Sequence, residues 1–180
     1  MKKVIVCLAE GFEEIEAISI IDILRRAEVP VTIVAIGEDT HVRGAHNVLV
    51  IADELFESVN FDNYDMIVLP GGMPGAKNLQ EHEGVKEQLE KFAKDKLIGA
   101  ICAAPMVLGS MGLLKGKRAT CYPGFEPELI EANVTNEPVT VDGTIITGKG
   151  PAFAIPFSLQ LVETLMGKAV RNEIAEGLLL

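Results

Sequence analysis

Leu97-Ile98-Gly99-Ala100-Ile101-Cys102-Ala103-Ala104-Pro105 is the stretch on which the reading of this chain turns. Its first five residues, apolar or small and without a polar break, describe a strand buried on both faces, as strands inside a parallel sheet are. The run ends on a thiol, and small residues then open a helix expected over Ala104–Met111. A turn from strand to helix lifts a side chain above the carboxyl end of the sheet, beside the first backbone amides of the helix. Cys102 at that point is a candidate nucleophile whose thiolate the turn is expected to favour. A cysteine in an apolar run also packs as a small inert hydrophobe; its position at the strand end favours the chemical reading.

Working outward, strands and helices alternate. Lys3 to Leu8 is a β-rich apolar run. Glu14 to Ala27 has apolar residues at helical spacing (Ile15, Ile18, Ile20 or Ile21, Leu24), and Val31 to Ile36 is the next strand. Val48–Ile51 reads as a short peripheral strand, Met66–Leu69 as a buried strand and Val85–Lys94 as an amphipathic helix. Asp142-Gly143 between the β-branched runs of Val139–Thr147 is a hairpin turn. A long helix from Pro151 or Ala152 to Met166 follows, then a shorter one over Val170–Glu176. The pattern predicts an α/β fold with a mainly parallel sheet, organised as one domain over residues 1–180.

Composition narrows the function classes. The net charge of −10 and the absence of a basic or aromatic stripe set the chain against nucleic acid and anionic membranes as partners. The apolar run at the start meets Glu10 and Glu13 too soon for a signal segment or a spanning helix. Three cysteines (Cys7, Cys102, Cys121) without ligand spacing indicate neither a disulfide framework nor a metal site. Free thiols fit a reducing compartment, so a cytoplasmic protein is expected. No phosphate loop of P-loop or dinucleotide spacing is present, and no cofactor is called for. A small-molecule site remains.

In an open α/β sheet that site lies beyond the carboxyl ends of the strands. Three segments fall there: Ala9 to Glu16, Leu69-Pro70-Gly71-Gly72, and Cys102. Glu13 and Glu14 read as charges complementing a helix N-terminus. Glu16 instead borders the apolar face, where a desolvated carboxyl tends to keep its proton and can serve as general acid or base. Gly71 and Gly72 can be a simple turn, or they can let backbone approach a ligand and aim an amide at an oxyanion. His82, between Glu81 and Glu83, reads as a solvated helix start, and Cys7 as core.

These motifs, Glu10-Gly11-Phe12-Glu13-Glu14-Ile15-Glu16, Leu69-Pro70-Gly71-Gly72, Ala100-Ile101-Cys102-Ala103-Ala104-Pro105 and Thr147-Gly148-Lys149-Gly150-Pro151-Ala152, resemble the ThiJ/PfpI superfamily, and within it the DJ-one branch. The resemblance spans essentially the whole chain. It implies a flavodoxin-like α/β/α sandwich, usually a homodimer, with Cys102 as the oxidation-sensitive nucleophile and Glu16 as the carboxyl bonded to its sulfur. It implies that the Gly72 and Ala103 amides face the substrate oxyanion. The activities it implies are glyoxalase without glutathione or deglycase, acting on small α-oxoaldehydes or glycated substrates. The alternative is a non-enzymatic oxidative-stress sensor or redox-regulated chaperone.

The chain also departs from parts of that superfamily. Its protease branch has a histidine directly after the nucleophile, where this chain has Ala103. The related glutamine amidotransferases place their histidine late, whereas His41, His46 and His82 all precede Cys102. Tyr122 stands where a member of the DJ-one branch has a histidine, and a phenol does not replace imidazole as a base at neutral pH. Gly71, Tyr122 and His46 are expected around the pocket, with Glu16 carrying the protons. Cys121 is weighed as a resolving thiol for an oxidised Cys102.

Overall fold

The computed structural model describes residues 2–180. Val4–Leu8 (β1) leads into Glu14–Arg26 (α1) and Val31–Ala35 (β2). His41–Arg43 (β3) and Leu49–Ile51 (β4) pair antiparallel as a separate small hairpin. Glu54–Leu55 (β5) precedes Met66–Leu69 (β6), Gly75–Glu81 (α2), Glu83–Asp95 (α3) and Leu97–Ile101 (β7). Pro105–Ser110 (α4) is followed by the two-residue strands Arg118–Ala119 (β8) and Asn133–Val134 (β9). Val139–Asp142 (β10) and Ile145–Gly148 (β11) then form a hairpin, and Ala154–Met166 (α5) and Lys168–Gly177 (α6) end the chain.

The main sheet runs β10-β11-β7-β6-β1-β2-β5, parallel throughout except for β10. Counting its five long parallel strands in chain order gives 2-1-3-4-5, the flavodoxin-like order, whose crevice lies at the carboxyl ends. The pleat sorts the strands onto two cores. Val4, Val6 and Leu8 pack with α1 and α5 residues such as Ile20, Leu24 and Phe157; Ile5, Cys7 and Ile67 pack with α3 and α4 residues such as Leu89, Phe92 and Val107. The carboxyl ends of β1, β6, β7 and β11 therefore share one edge. No helix among the described residues is long and apolar enough to cross a membrane.

The periodicity of α1 misled at its start. Ile15 and Ile18 are exposed, and the buried face is Glu16, Ala17, Ile20, Ile21, Ile23 and Leu24. An isoleucine-rich helix offers two apolar stripes, and the tertiary fold chooses the one against the sheet. Glu16 is thus inside that face, not at its border. Helix α2 escapes the sequence because it is short and buries only Gly75, Ala76 and Leu79. The strands β3, β5, β8 and β9 are two or three residues long, too short to carry a period. Helix α5 starts after a 3-10 turn over Pro151–Phe153.

Candidate active site

Cys102 adopts φ +64°, a left-handed conformation that costs a non-glycine residue roughly 1–2 kcal/mol. Both of its peptide groups are tied down. Its N–H donates to the Gly148 carbonyl at the end of β11 (2.9 Å), and its own carbonyl accepts from the Tyr122 N–H (2.8 Å). The Ala104 N–H donates back to the Ile101 carbonyl (3.0 Å), closing the turn into α4. The strand is thereby stopped abruptly and the thiol, 7% exposed, is turned out over the sheet edge.

Glu16 meets the thiol from the buried side. Its carboxyl is completely buried. Its Oε2 accepts the Gly71 N–H at 2.8 Å, while Oε1 has no full hydrogen bond among the described residues. The Cys102 thiol is the side chain that acts on this carboxyl. Burial raises the carboxyl from 4.5 to about 7, against the lowering effects of the thiol and the Gly71 amide, and the charge of Glu13 adds to the rise. Gly71 carries no side chain because a Cβ there would lie 2.6 Å from the Cys102 Cβ and 2.8 Å from Glu16 Oε2. It is the spacer that lets carboxyl and sulfur meet.

Gly72, at φ +88°, is equally constrained, since a Cβ would sit 2.6 Å from the Gly11 carbonyl. The loop after β6 and the loop after β1 interlock there: the Glu13 N–H donates to the Gly71 carbonyl (2.9 Å) and the Gly75 N–H to the Gly11 carbonyl (3.2 Å). This close approach aims the Gly72 amide at the sulfur, and the Ala103 amide joins it.

The expectation that the elbow by itself lowers the thiol pKa does not hold. Burial raises it, and so do the charge and hydrogen bonding of the Glu16 carboxylate, outweighing the two amides. Sulfur and carboxyl compete for a proton in one desolvated space. Thiolate is favoured there when Glu16 holds that proton, because the repelling charge is then gone and the amides remain.

The sulfur opens on a cavity of about 210 Å³ lined by Glu13, Gly72, Met73, Cys102, Ala103, Tyr122, Phe125 and Pro151. A larger cavity, about 390 Å³, lies beyond β1 and β2 between Ala9, Ile36 and Asp39. It holds no nucleophile, so chemistry and not size selects the smaller one.

The sequence profile of the DJ-1/PfpI family matches residues 2–164. The chain belongs to the DJ-1/PfpI family. It is 37% identical to Arabidopsis thaliana protein DJ-1 homolog B over 182 residues, which are 99% of this chain and 42% of that protein; this chain thus spans less than half the length of that relative. It is 32% identical to the Schizosaccharomyces pombe protein named glutathione-independent glyoxalase DJ-1, covering 99% of this chain and 98% of the other. Among solved structures, oxidized Toxoplasma gondii DJ-1 superposes with a TM-score of 0.95 at 40% identity, covering 99% and 98% of the two chains.

In this DJ-1/PfpI chain Cys102, Glu16, Gly72 and Ala103 come together as the sequence suggests, and Tyr122 lines the cavity. Gly71 lies outside the lining and acts by holding Glu16. His46 is also outside it. Its exposed ring bonds Glu14 Oε2 through Nδ1 (3.0 Å) and stands 3.6 Å from Glu13 Oε2. Glu14 raises the pKa of His46 by that hydrogen bond, helped by the charges of Glu13 and Glu14.

Glu13, Glu14 and His46 bring ligand atoms within 4.8 Å of one another. Glu14 is already engaged by the His46 ring and by the His46 (2.7 Å) and Val48 (3.3 Å) amides, so this is a hydrogen-bonded cluster first. His82 caps α3, its Nδ1 accepting the Val85 N–H at 3.1 Å, and its ring is half-buried against Phe56. Cys7 and Cys121 are buried, and burial pushes their thiols up to about 12 and about 11. Met73, Phe125 and the wall position of Glu13 were missed; a loop residue in a sequence bears no mark of the cavity it will face.

Proposed function

We propose that this chain is a cysteine-dependent enzyme that converts small α-oxoaldehydes into hydroxy acids without glutathione, metal or added cofactor. One observation carries the reading: a thiol flanked by two backbone amides shares a desolvated space with a carboxyl whose pKa stands at about 7. A base is most useful when its pKa lies near the working pH. The name of the fission-yeast relative agrees in kind.

In this mechanism Cys102 Sγ adds to the aldehyde carbon of methylglyoxal. The carbonyl electron pair moves to oxygen beside the Gly72 and Ala103 amides, and that oxygen takes the proton held by Glu16, which becomes the carboxylate. Glu16 then removes the hydrogen on that carbon, leaving an enediolate; the hydroxyl proton passes between the two oxygens, and Glu16 returns its proton to the neighbouring carbon. The first carbon is thereby oxidised to a thioester and the second reduced to an alcohol, so the redox change is internal. Water then cleaves the C–S bond, releasing lactate and the free thiol. Hemithioacetal chemistry of the same kind extends to glycated amines and thiols.

The test is methylglyoxal consumption by chelator-treated protein, with lactate as product. Saturable turnover is expected, abolished in Cys102→Ala and reduced by about 10²–10⁴ in Glu16→Gln. No turnover by the wild type, or full turnover by either variant, overturns the reading. A buried proton donor beside the sulfur favours a second reading, an oxidative-stress sensor or redox-regulated chaperone, which predicts no saturable turnover.

We also propose a homodimer in the cytoplasm. The exposed Ile15 and Ile18 of α1 and Val48, Leu49 and Ile51 at the β3–β4 hairpin supply an apolar face of the kind that partners cover, and three free thiols suit a reducing compartment. Sedimentation should give a dimer that Ile18→Glu dissociates.

A further inference from the structure

The lining of the cavity over Cys102 mixes two chemistries: the sulfur with the Gly72 and Ala103 amides, and the large, mostly apolar residues Met73, Tyr122, Phe125 and Pro151. Met73 and Tyr122 are each 45% exposed, although both are large and largely apolar. The Tyr122 ring stands edge-on to Phe125, with ring centres 6.4 Å apart and planes at 75°, the arrangement in which aromatic rings pair. Its backbone is fixed to the Cys102 carbonyl, so this aromatic edge keeps a set position relative to the nucleophile. The one charged side chain of the lining is Glu13, 9% exposed, and no cation lines the cavity among the described residues.

Size and charge point the same way. A volume of about 210 Å³ is that of roughly seven waters at about 30 Å³ each. A three-carbon oxoaldehyde bound at the sulfur leaves the aromatic wall facing water; a phenyl substituent reaches and covers it. An anionic substituent would meet the nearly buried carboxylate of Glu13, whose neighbour His46, 3.6 Å away, stands outside the lining, so no cation within the cavity receives it.

Resting on the α-oxoaldehyde reading above, we propose that Tyr122 and Phe125 make this site selective for α-oxoaldehydes bearing an uncharged aromatic substituent, and that Glu13 excludes anionic ones. Phenylglyoxal and water would give mandelate by the same internal redox step. Tyr122 is here a specificity residue, not a replacement base.

Three probes test it: methylglyoxal, phenylglyoxal and 4-carboxyphenylglyoxal. Each is measured for kcat/KM and for the concentration that half-protects Cys102 from iodoacetamide, a readout independent of turnover. Phenylglyoxal is expected to exceed methylglyoxal by at least about tenfold, since apolar pocket contacts discriminate by about 10–200-fold per methylene-sized group. Tyr122→Ala should lower that ratio about tenfold and Tyr122→Phe should keep it, while Glu13→Gln should relieve the rejection of the carboxylated probe.

Ratios between substrates cancel any change that a variant makes to the chemical step itself. Methylglyoxal turnover with a phenylglyoxal ratio that Tyr122→Ala leaves unchanged overturns this proposal alone. If no probe is turned over, the enzyme reading falls, and the half-protection concentrations still decide the selectivity: equal protection by the two uncharged probes in wild type and Tyr122→Ala refutes it.

Discussion

Replacing Glu16 by Gln should change the way stability depends on pH, and the size of the change follows from the site. Burial holds the carboxyl at about 7 against an ordinary 4.5. At 1.36 kcal/mol per pKa unit this amounts to about 3 kcal/mol. The unfolded chain loses this proton first, so between about pH 4.5 and 7 the folded state holds more protons and loses stability as pH rises. The stabilisation is fully present in acid and gone above the folded pKa. A glutamine in its place can keep a hydrogen bond from the Gly71 amide and has nothing to ionise.

About 2 kcal/mol of the total falls between pH 5.5 and 8, a range clear of the acidic isoelectric region of a chain with net charge −10. With an unfolding entropy of about 2.1 cal/mol/K per residue over 180 residues, the melting temperature of Glu16→Gln should gain roughly 5 °C on wild type across that window. Calorimetry of both proteins at four pH values measures it. Ionisation of His46 and other groups is common to both proteins and cancels in the difference. Parallel melting curves, with a gap that does not grow with pH, would refute the raised carboxyl and with it the case for Glu16 as the proton carrier.

Iodoacetamide at pH 7.5 should label Cys102 well ahead of Cys7 and Cys121, because its sulfur opens on the cavity and faces two backbone amides while theirs are packed in the core; equal labelling in peptide maps would remove Cys102 as the nucleophile. Glu16→Gln should also lower the apparent pKa of that alkylation and speed it at pH 7.5, because it deletes the charge opposing the thiolate; an unchanged rate would contradict the coupling of sulfur and carboxyl. Gly72→Ala, which forces a Cβ into the Gly11 carbonyl at φ +88°, should cost at least about 2 kcal/mol in denaturant unfolding, and a loss below about 0.5 would contradict the interlocked loops. Mild peroxide should stop Cys102 at the sulfinic state, held by a protonated Glu16, with activity lost in proportion to the modified fraction; intact mass would show instead a dominant Cys102–Cys121 disulfide if the resolving role were real.

The alternation of apolar strands with helical spacing was enough to specify a parallel α/β sheet, since the periods of 2 and 3.6 are local properties of the chain. The run ending at Cys102 and the glycines after Leu69 placed a thiol and close backbone at the same sheet edge, because strand ends in a parallel sheet share a side. Other features depended on contacts between distant segments. Which stripe of α1 is buried was settled by the sheet and α5, and that moved Glu16 from a border to full burial while leaving Ile15 and Ile18 in solvent. The thiol's pKa was settled by burial and then by a carboxyl from a helix far away in sequence, which together reversed the direction expected from the elbow alone. His46 and Gly71 were near the right place, yet only the folded loops showed that one bonds Glu14 and the other holds Glu16. The cavity wall of Met73, Tyr122, Phe125 and Pro151 comes from three separate loops. Sequence by itself determined the longer strands and helices and the place of a thiol at the sheet edge; tertiary structure decided protonation and shape, because burial and proximity are properties of residues brought together by folding and of none of them alone.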